Sequence, residues 1–179
     1  MFPFIILYTL MSLAQSFPPI AGKQAEILIL GSMPGEASLA AQQYYAHPRN
    51  AFWPIMTRWL QIPLEASYQE KITALQASPI ALWDVLKSCR RSGSLDSNIE
   101  ADTQIINDFH TFFSIHREIT QVLFNGGKAE ICFKRNISPY ADSNRLNLFR
   151  LPSTSPANAR MPFEEKCHIW HERINTIIS

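Results

Sequence analysis

The sequence predicts an α/β fold, a three-layer α/β/α sandwich around a central, mostly parallel four-stranded sheet. Two observations carry the prediction. Short apolar runs rich in branched residues alternate with segments whose apolar residues recur at helical spacing, which is the pattern of parallel strands joined by crossover helices. The runs are also continuously apolar, as strands covered on both faces are, and loops rich in Gly, Pro, Ser or Asn follow them.

Residues 25–30 form the first strand, ended by Gly31. In residues 51–60, Phe52, Ile55, Met56, Trp59 and Leu60 fall on one helical stripe, and Pro54 is tolerated because it lies near the first turn. A second amphipathic helix fits residues 64–75, with Leu64, Tyr68, Ile72 and Leu75 on one face. Residues 80–83 form the next strand, followed by Asp84 and a polar loop through Arg90, Arg91, Ser92, Gly93 and Ser94. Helical signals resume near Asp102 with Ile105, Phe109 and Phe112 as the stripe. Residues 119–124 form a third strand ended by Asn125-Gly126-Gly127, and residues 128–135 read as a helix. Residues 146–151 form the fourth strand, and 163–178 a closing helix with Phe163, Cys167, Trp170, Ile174 and Ile178 inward.

With 179 residues, 46% of them hydrophobic and 17% charged, the chain has the length of one domain with a sizeable core. We expect one domain over residues 16–179, after an extension over 1–15 in which translation begins at Met11. The opening stretch is apolar but has no positive leader and is too short to span a bilayer. Cys89, Cys132 and Cys167 offer no paired spacing for disulfides or zinc, so a reducing cytoplasm fits, and Cys167-His168-x-x-His171 reads as a helix bearing surface imidazoles. The net charge of +1 does not mark a strongly basic nucleic-acid binder, although affinity for a polyanion depends on a local face. Arg49, Lys128, Arg135, Arg145, Arg150 and Arg160 lie near the loops of interest, and each also reads as an ordinary solvated side chain.

Two of those loops are Gly31-Ser32-Met33-Pro34-Gly35 and Leu151-Pro152-Ser153-Thr154-Ser155-Pro156. Their backbone N–H groups and hydroxyls sit at strand ends, where open α/β sheets bind ligands. Between them, Tyr44-Tyr45-Ala46-His47-Pro48-Arg49-Asn50-Ala51-Phe52-Trp53 is dense in aromatics and hydrogen-bonding groups. Together they suggest a pocket for a flat heterocycle beside a phosphate backbone.

In order and spacing these three segments resemble the uracil-DNA glycosylase superfamily. The stretch Ser92-Gly93-Ser94-Leu95-Asp96-Ser97 is similar to the P-G-S-K-D-L-S of its thymine branch. At the third position of G-x-x-P-G, the uracil branch carries an Asp and the mismatch branch an Asn that orients the attacking water. Here that residue is Met33, which neither takes a proton nor holds water well, and Leu151 replaces the His or Asn of the closing loop. The pattern is most similar to the hypoxanthine-DNA glycosylase branch, in which the catalytic Asn resembles Asn50.

The resemblance implies a monofunctional glycosylase that flips a deaminated base into a pocket and hydrolyses its N-glycosidic bond. The preferred base would be hypoxanthine, with uracil or a mismatched base as the alternative and a non-catalytic nucleic-acid binding module as the other. Asn50 would position water, although Asn in this place also serves as an ordinary helix cap. Tyr45 would stack on the base or pack within its loop, while Phe52 and Trp53 belong to the core. The amides of Ser32, Met33 and Gly35 would donate to a base carbonyl or a phosphate, and Asp84 would accept from a lactam N–H or cap a loop. Ser153, Thr154 and Ser155 would hold phosphates, residues 156–160 with Asn158 and Arg160 would enter or flank the gap, and His47 would bind phosphate or brace its loop. No lysine in these motifs offers a Schiff base. No cofactor is implied, the partner is DNA bearing a deaminated base, and a monomer is expected.

Overall fold

In the computed structural model, which describes residues 12–136 and 145–179, the chain runs β1 (Ser12–Gln15), β2 (Ile27–Gly31), α1 (Glu36–Ala41), α2 (Phe52–Leu60), α3 (Tyr68–Gln76), β3 (Ile80–Asp84) and β4 (Leu86–Arg91). It continues through β5 (Ile105–Ile106), α4 (Phe109–Ile115), β6 (Gln121–Asn125), α5 (Gly127–Asn136), β7 (Asn147–Leu151) and α6 (Phe163–Ile178). The expected start at Met11 and the stretch before it lie outside the described residues. Residues 12–15, expected to belong to an extension, form β1.

The fold is α/β. β3, β2, β6 and β7 make a parallel four-stranded sheet in that order, with Ile27 opposite Ile80 and Gln121, and Val122 opposite Leu148. β2 and β3 are buried along their whole length, which is why these segments are apolar without alternation. The chain leaves β2 toward β3 on one side and later enters β6 on the other, so the strand order reverses between β2 and β6. Loops leaving the carboxyl ends there diverge and open a crevice.

Helices flank the sheet. Leu30, Trp83 and Phe124 are in register, and Trp83 packs on Phe109 and Phe112 of α4 while Phe124 packs on Phe133 of α5. A second helical group joins α2 to α6 through Phe52 and Trp170 and to α3 through Trp53 and Tyr68. Phe52, Trp53 and Trp170 are buried, in keeping with the expectation that the first two belong to the core and the third faces inward from the closing helix.

Several sequence expectations are corrected. A small antiparallel sheet, β1-β4-β5, lies where a polar loop was expected after Asp84. β4 reads Leu-Lys-Ser-Cys-Arg-Arg, without a β-branched residue, and pairing with β1 makes it a strand although its own propensity does not. The helix expected near Asp102 is instead a single turn, the two-residue β5 and then α4, whose start is set by Asp108 accepting from the Thr111 amide. Ile105 is exposed. α3 starts at Tyr68 because Ser67 and Glu70 close a reciprocal capping box, leaving Leu64 outside the helix and exposed. α1 was not foreseen, and Ile178 at the end of α6 is exposed.

Candidate active site

The crevice is a cavity of about 1300 Å³ at the carboxyl ends of the parallel strands. The loops after β2, β6 and β7 line it, together with Asp84 at the end of β3, the segment around Tyr45 and Asn50, and Ser94 to Asp96. Ser32, Met33, Gly35, Tyr45, His47, Asn50, Asp84, Ser153, Thr154, Ser155 and Asn158 all line this cavity. Arg160 does not; it is exposed in the turn between Asn158 and Met161, which do.

At the floor, β2 and β3 bring Gly31 opposite Asp84. A methyl group on Gly31 would stand 2.3 Å from Asp84 Oδ1 and 2.8 Å from the Tyr45 hydroxyl, so glycine alone permits this convergence. The Ser16 hydroxyl donates to Asp84 Oδ2 at 2.9 Å, while Oδ1 has no protein donor among the described residues. Burial pushes the Asp84 carboxyl up to about 7, opposed by the Ser16 hydrogen bond, aided by the charge of Asp96 and opposed by Arg91. Near neutral pH it is therefore both a donor and an acceptor.

Tyr45 is held at φ 54°, left-handed for a bulky residue, by its surroundings. Its ring stacks on Phe52 with centroids 4.1 Å apart. Next to it, the Trp53 indole donates to the Tyr44 carbonyl at 2.8 Å and the Tyr44 amide donates to the Tyr68 hydroxyl at 2.9 Å. The Tyr45 hydroxyl is buried without a hydrogen bond, and burial together with the Asp84 charge keeps it neutral.

Asn50 Oδ1 accepts from the Phe52 amide at 2.9 Å at the start of α2. The N-cap of α2 is Ala51, without a side-chain cap, so Asn50 is not the helix cap. Its contact with the Phe52 amide is a local turn that orients the carboxamide without consuming it, and Nδ2 has no protein acceptor among the described residues. The Ala51 amide donates to the Thr154 carbonyl at 3.0 Å, tying this segment to the closing loop. His47 Nδ1 accepts from the Arg49 amide at 3.1 Å, which is a bracing contact.

The closing loop is internally fastened. Asn125, at the end of β6, accepts from the Thr154 amide and donates to its hydroxyl oxygen, both at 2.8 Å. Thr154 is buried, so its amide, expected to face a phosphate, is committed to holding the loop. Ser153 and Ser155 accept from the Ser155 and Ala157 amides, which leaves their hydroxyl protons available to a ligand. Asn158 donates to the Ser153 carbonyl, the buried Lys166 donates to the Asn158 carbonyl, and the Trp170 indole donates to the Pro152 carbonyl.

Four site residues escaped the sequence reading: Ser16, Arg91, Asp96 and Asn125. Arg91 is buried, donating from Nε to the Gly93 carbonyl at 2.7 Å and from Nη2 to the Pro34 carbonyl at 2.5 Å. It links the loop after β2 to the loop after β4. Across the same junction the Ser32 hydroxyl donates to Asp96 Oδ1 at 2.7 Å. Asn125 was legible only as the polar end of a strand, and Asp96 only as part of a motif without an assigned role.

A family model described as the uracil DNA glycosylase superfamily matches residues 18–173. A protein of Methanosarcina barkeri named hypoxanthine DNA glycosylase is 40% identical over 116 residues, covering 64% of this chain and 72% of that protein. One of the same name from Methanosarcina acetivorans is 35% identical over 147 residues, 82% of this chain and 89% of its own. A solution NMR structure of a Methanosarcina acetivorans protein, described as a candidate uracil DNA glycosylase, superposes with a TM-score of 0.73 at 32% identity, covering 90% of this chain and 98% of that one.

Proposed function

The chain belongs to the uracil DNA glycosylase superfamily, and on that premise we propose that it is a monofunctional DNA glycosylase hydrolysing the N-glycosidic bond of a deaminated base, hypoxanthine before uracil, in base-excision repair. The observation that carries this reading is the convergence of an aromatic platform, a buried carboxyl and an oriented carboxamide in one cleft at the sheet's switch point. The two relatives named hypoxanthine DNA glycosylase support the choice of base.

A base inside a duplex is out of reach, so the nucleotide flips into the cleft. The purine stacks on Tyr45, which Phe52 backs. Asp84 accepts from the lactam N–H or donates to O6, and the amides of Ser32, Met33 and Gly35 stabilise the negative charge that gathers on the departing base. Asn50, oriented by the Phe52 amide, holds the attacking water. The hydroxyls of Ser153 and Ser155, with His47, Asn158 and Arg160, hold the strand, and residues 156–160 enter the gap left by the flipped base. No lysine lines the cleft among the described residues, so the product is an abasic site in an uncut strand.

No step calls for a metal or cofactor, and the protein acts as a cytoplasmic monomer on DNA. Among the described residues no helix is long and apolar enough to cross a membrane. The test is incubation with duplexes carrying inosine, uracil, xanthine or a G·T mismatch, followed by alkali. Cleavage at inosine is the expected result. Cleavage at uracil alone would reassign the base, and cleavage of none would favour a non-catalytic binding module.

A further inference from the structure

Hydrolysis of an N-glycosidic bond needs more than a positioned water. Positive charge develops on the sugar, and the water must lose a proton as its oxygen bonds to C1′. A carboxamide such as Asn50 accepts a hydrogen bond but does not take that proton. Position 33, in the loop after β2, is a thioether and does not take it either.

Three carboxyl groups line the cleft: Glu36, Asp84 and Asp96. Glu36 is exposed at the start of α1, and Asp84 lies deep at the floor with one oxygen held by Ser16. Asp96 is half-buried, and Ser32, next to Met33, fixes its Oδ1 from 2.7 Å. Its Oδ2 has no protein donor among the described residues, and Asp96 lines the cleft. Arg91 clamps both loops that carry this pair, through the carbonyls of Pro34 and Gly93. A carboxylate from the loop after β4 therefore stands beside the loop after β2, whose own side chain at position 33 is chemically inert.

From this geometry we infer that Asp96 is a second catalytic residue, the carboxylate that takes the proton of the attacking water and faces the cationic sugar, with Ser32 as its positioning residue. The inference rests on the glycosylase reading. Water oxygen bonds to C1′, the C1′–N9 bond breaks with its electron pair leaving on the purine, and the water proton passes to Asp96. Solvent then returns a proton to the purine, so that water and the nucleoside give an abasic sugar and free hypoxanthine. Two charged groups act on Asp96 across the site, Arg91 of β4 and Lys128 of α5, and both favour its ionised form, while the Asp96 charge in turn raises the carboxyl of Asp84 in β3. Burial pushes its carboxyl above the ordinary aspartate range, and the Ser32 hydrogen bond pulls it down.

Single-turnover release of hypoxanthine from an inosine duplex, followed from acid to alkaline pH, tests the assignment. Asp96→Asn should lower the rate by about 100-fold or more and abolish the acid limb of the profile, while affinity for the duplex stays within about threefold of the wild type. Ser32→Ala keeps the backbone amide but should move the acid limb to higher pH, because the hydrogen bond that lowers the carboxyl is gone. An Asp96→Asn protein that keeps its rate or its acid limb would overturn the assignment, as would one that loses binding and rate together. Should Asp96→Asn not fold, an acid limb unmoved in Ser32→Ala overturns it alone. A wild type that releases no base defeats the glycosylase reading itself, which separates the two failures.

Discussion

In the proposed mechanism Asn50 serves structure and chemistry together. The resemblance pointed to catalysis and the local sequence to a cap; the Phe52 contact gives the carboxamide its orientation, while Nδ2 remains open for work. Asp84 was legible as a polar residue at a strand end, but its proton was not, because that depends first on burial at the folded cleft floor and then on the Asp96 charge, against Ser16 and Arg91, all supplied by other parts of the chain. A carboxyl raised to about 7 in the folded state binds its proton more tightly than in the unfolded chain. Its contribution to stability is thus fully present below the unfolded value and is lost as pH rises toward 7. Asp84→Asn has no such proton to lose, so between pH 4 and 7.5 the variant should gain on the wild type by an amount on the order of 3 kcal/mol. Urea titrations at the two pH values measure this, and equal stability differences at both would contradict it.

At the scale of elements, the four parallel strands were legible because burial on both faces demands unbroken apolar runs, as in Ile27 to Leu30. β4 was not, since its polar side chains are accommodated by pairing with β1 and by the carbonyls that hold Arg91. The closing loop was legible by composition but not by its fastening to Asn125. Gly126 makes that fastening possible: it sits at φ 95°, and a methyl there would stand 2.9 Å from Ser153 Cβ. Gly126→Ala should therefore destabilise the fold by roughly 1–3 kcal/mol and displace the closing loop. The check is a thermal melt beside a base-release assay at a temperature where the variant is folded. Wild-type stability and activity in Gly126→Ala would show that the loop tolerates the shift.

For the whole molecule, the alternation of strands and helices predicted the layers, but not the strand order, and the reversal between β2 and β6 is what sites the cleft. The net charge of +1 predicted no strong polyanion field, and the arginines that line the cleft are Arg49 and Arg150. With Arg160 in the turn beside the cleft added to these two, the affinity for duplex DNA should accordingly fall with salt at a shallow log–log slope of roughly −3, with each of Arg49→Ala and Arg150→Ala reducing it by about 1. A much steeper slope, unchanged in both variants, would put the phosphate contacts elsewhere on the surface. All these features serve one claim, that the cleft breaks a glycosidic bond with water held by Asn50. The direct measurement is free hypoxanthine released in a single turnover from an inosine duplex by the wild type and by Asn50→Ala. We expect release from the wild type with the strand intact until alkali is added, and a rate about 100-fold lower or less in folded Asn50→Ala. Release at the wild-type rate by Asn50→Ala, or strand cutting without alkali, would contradict the account.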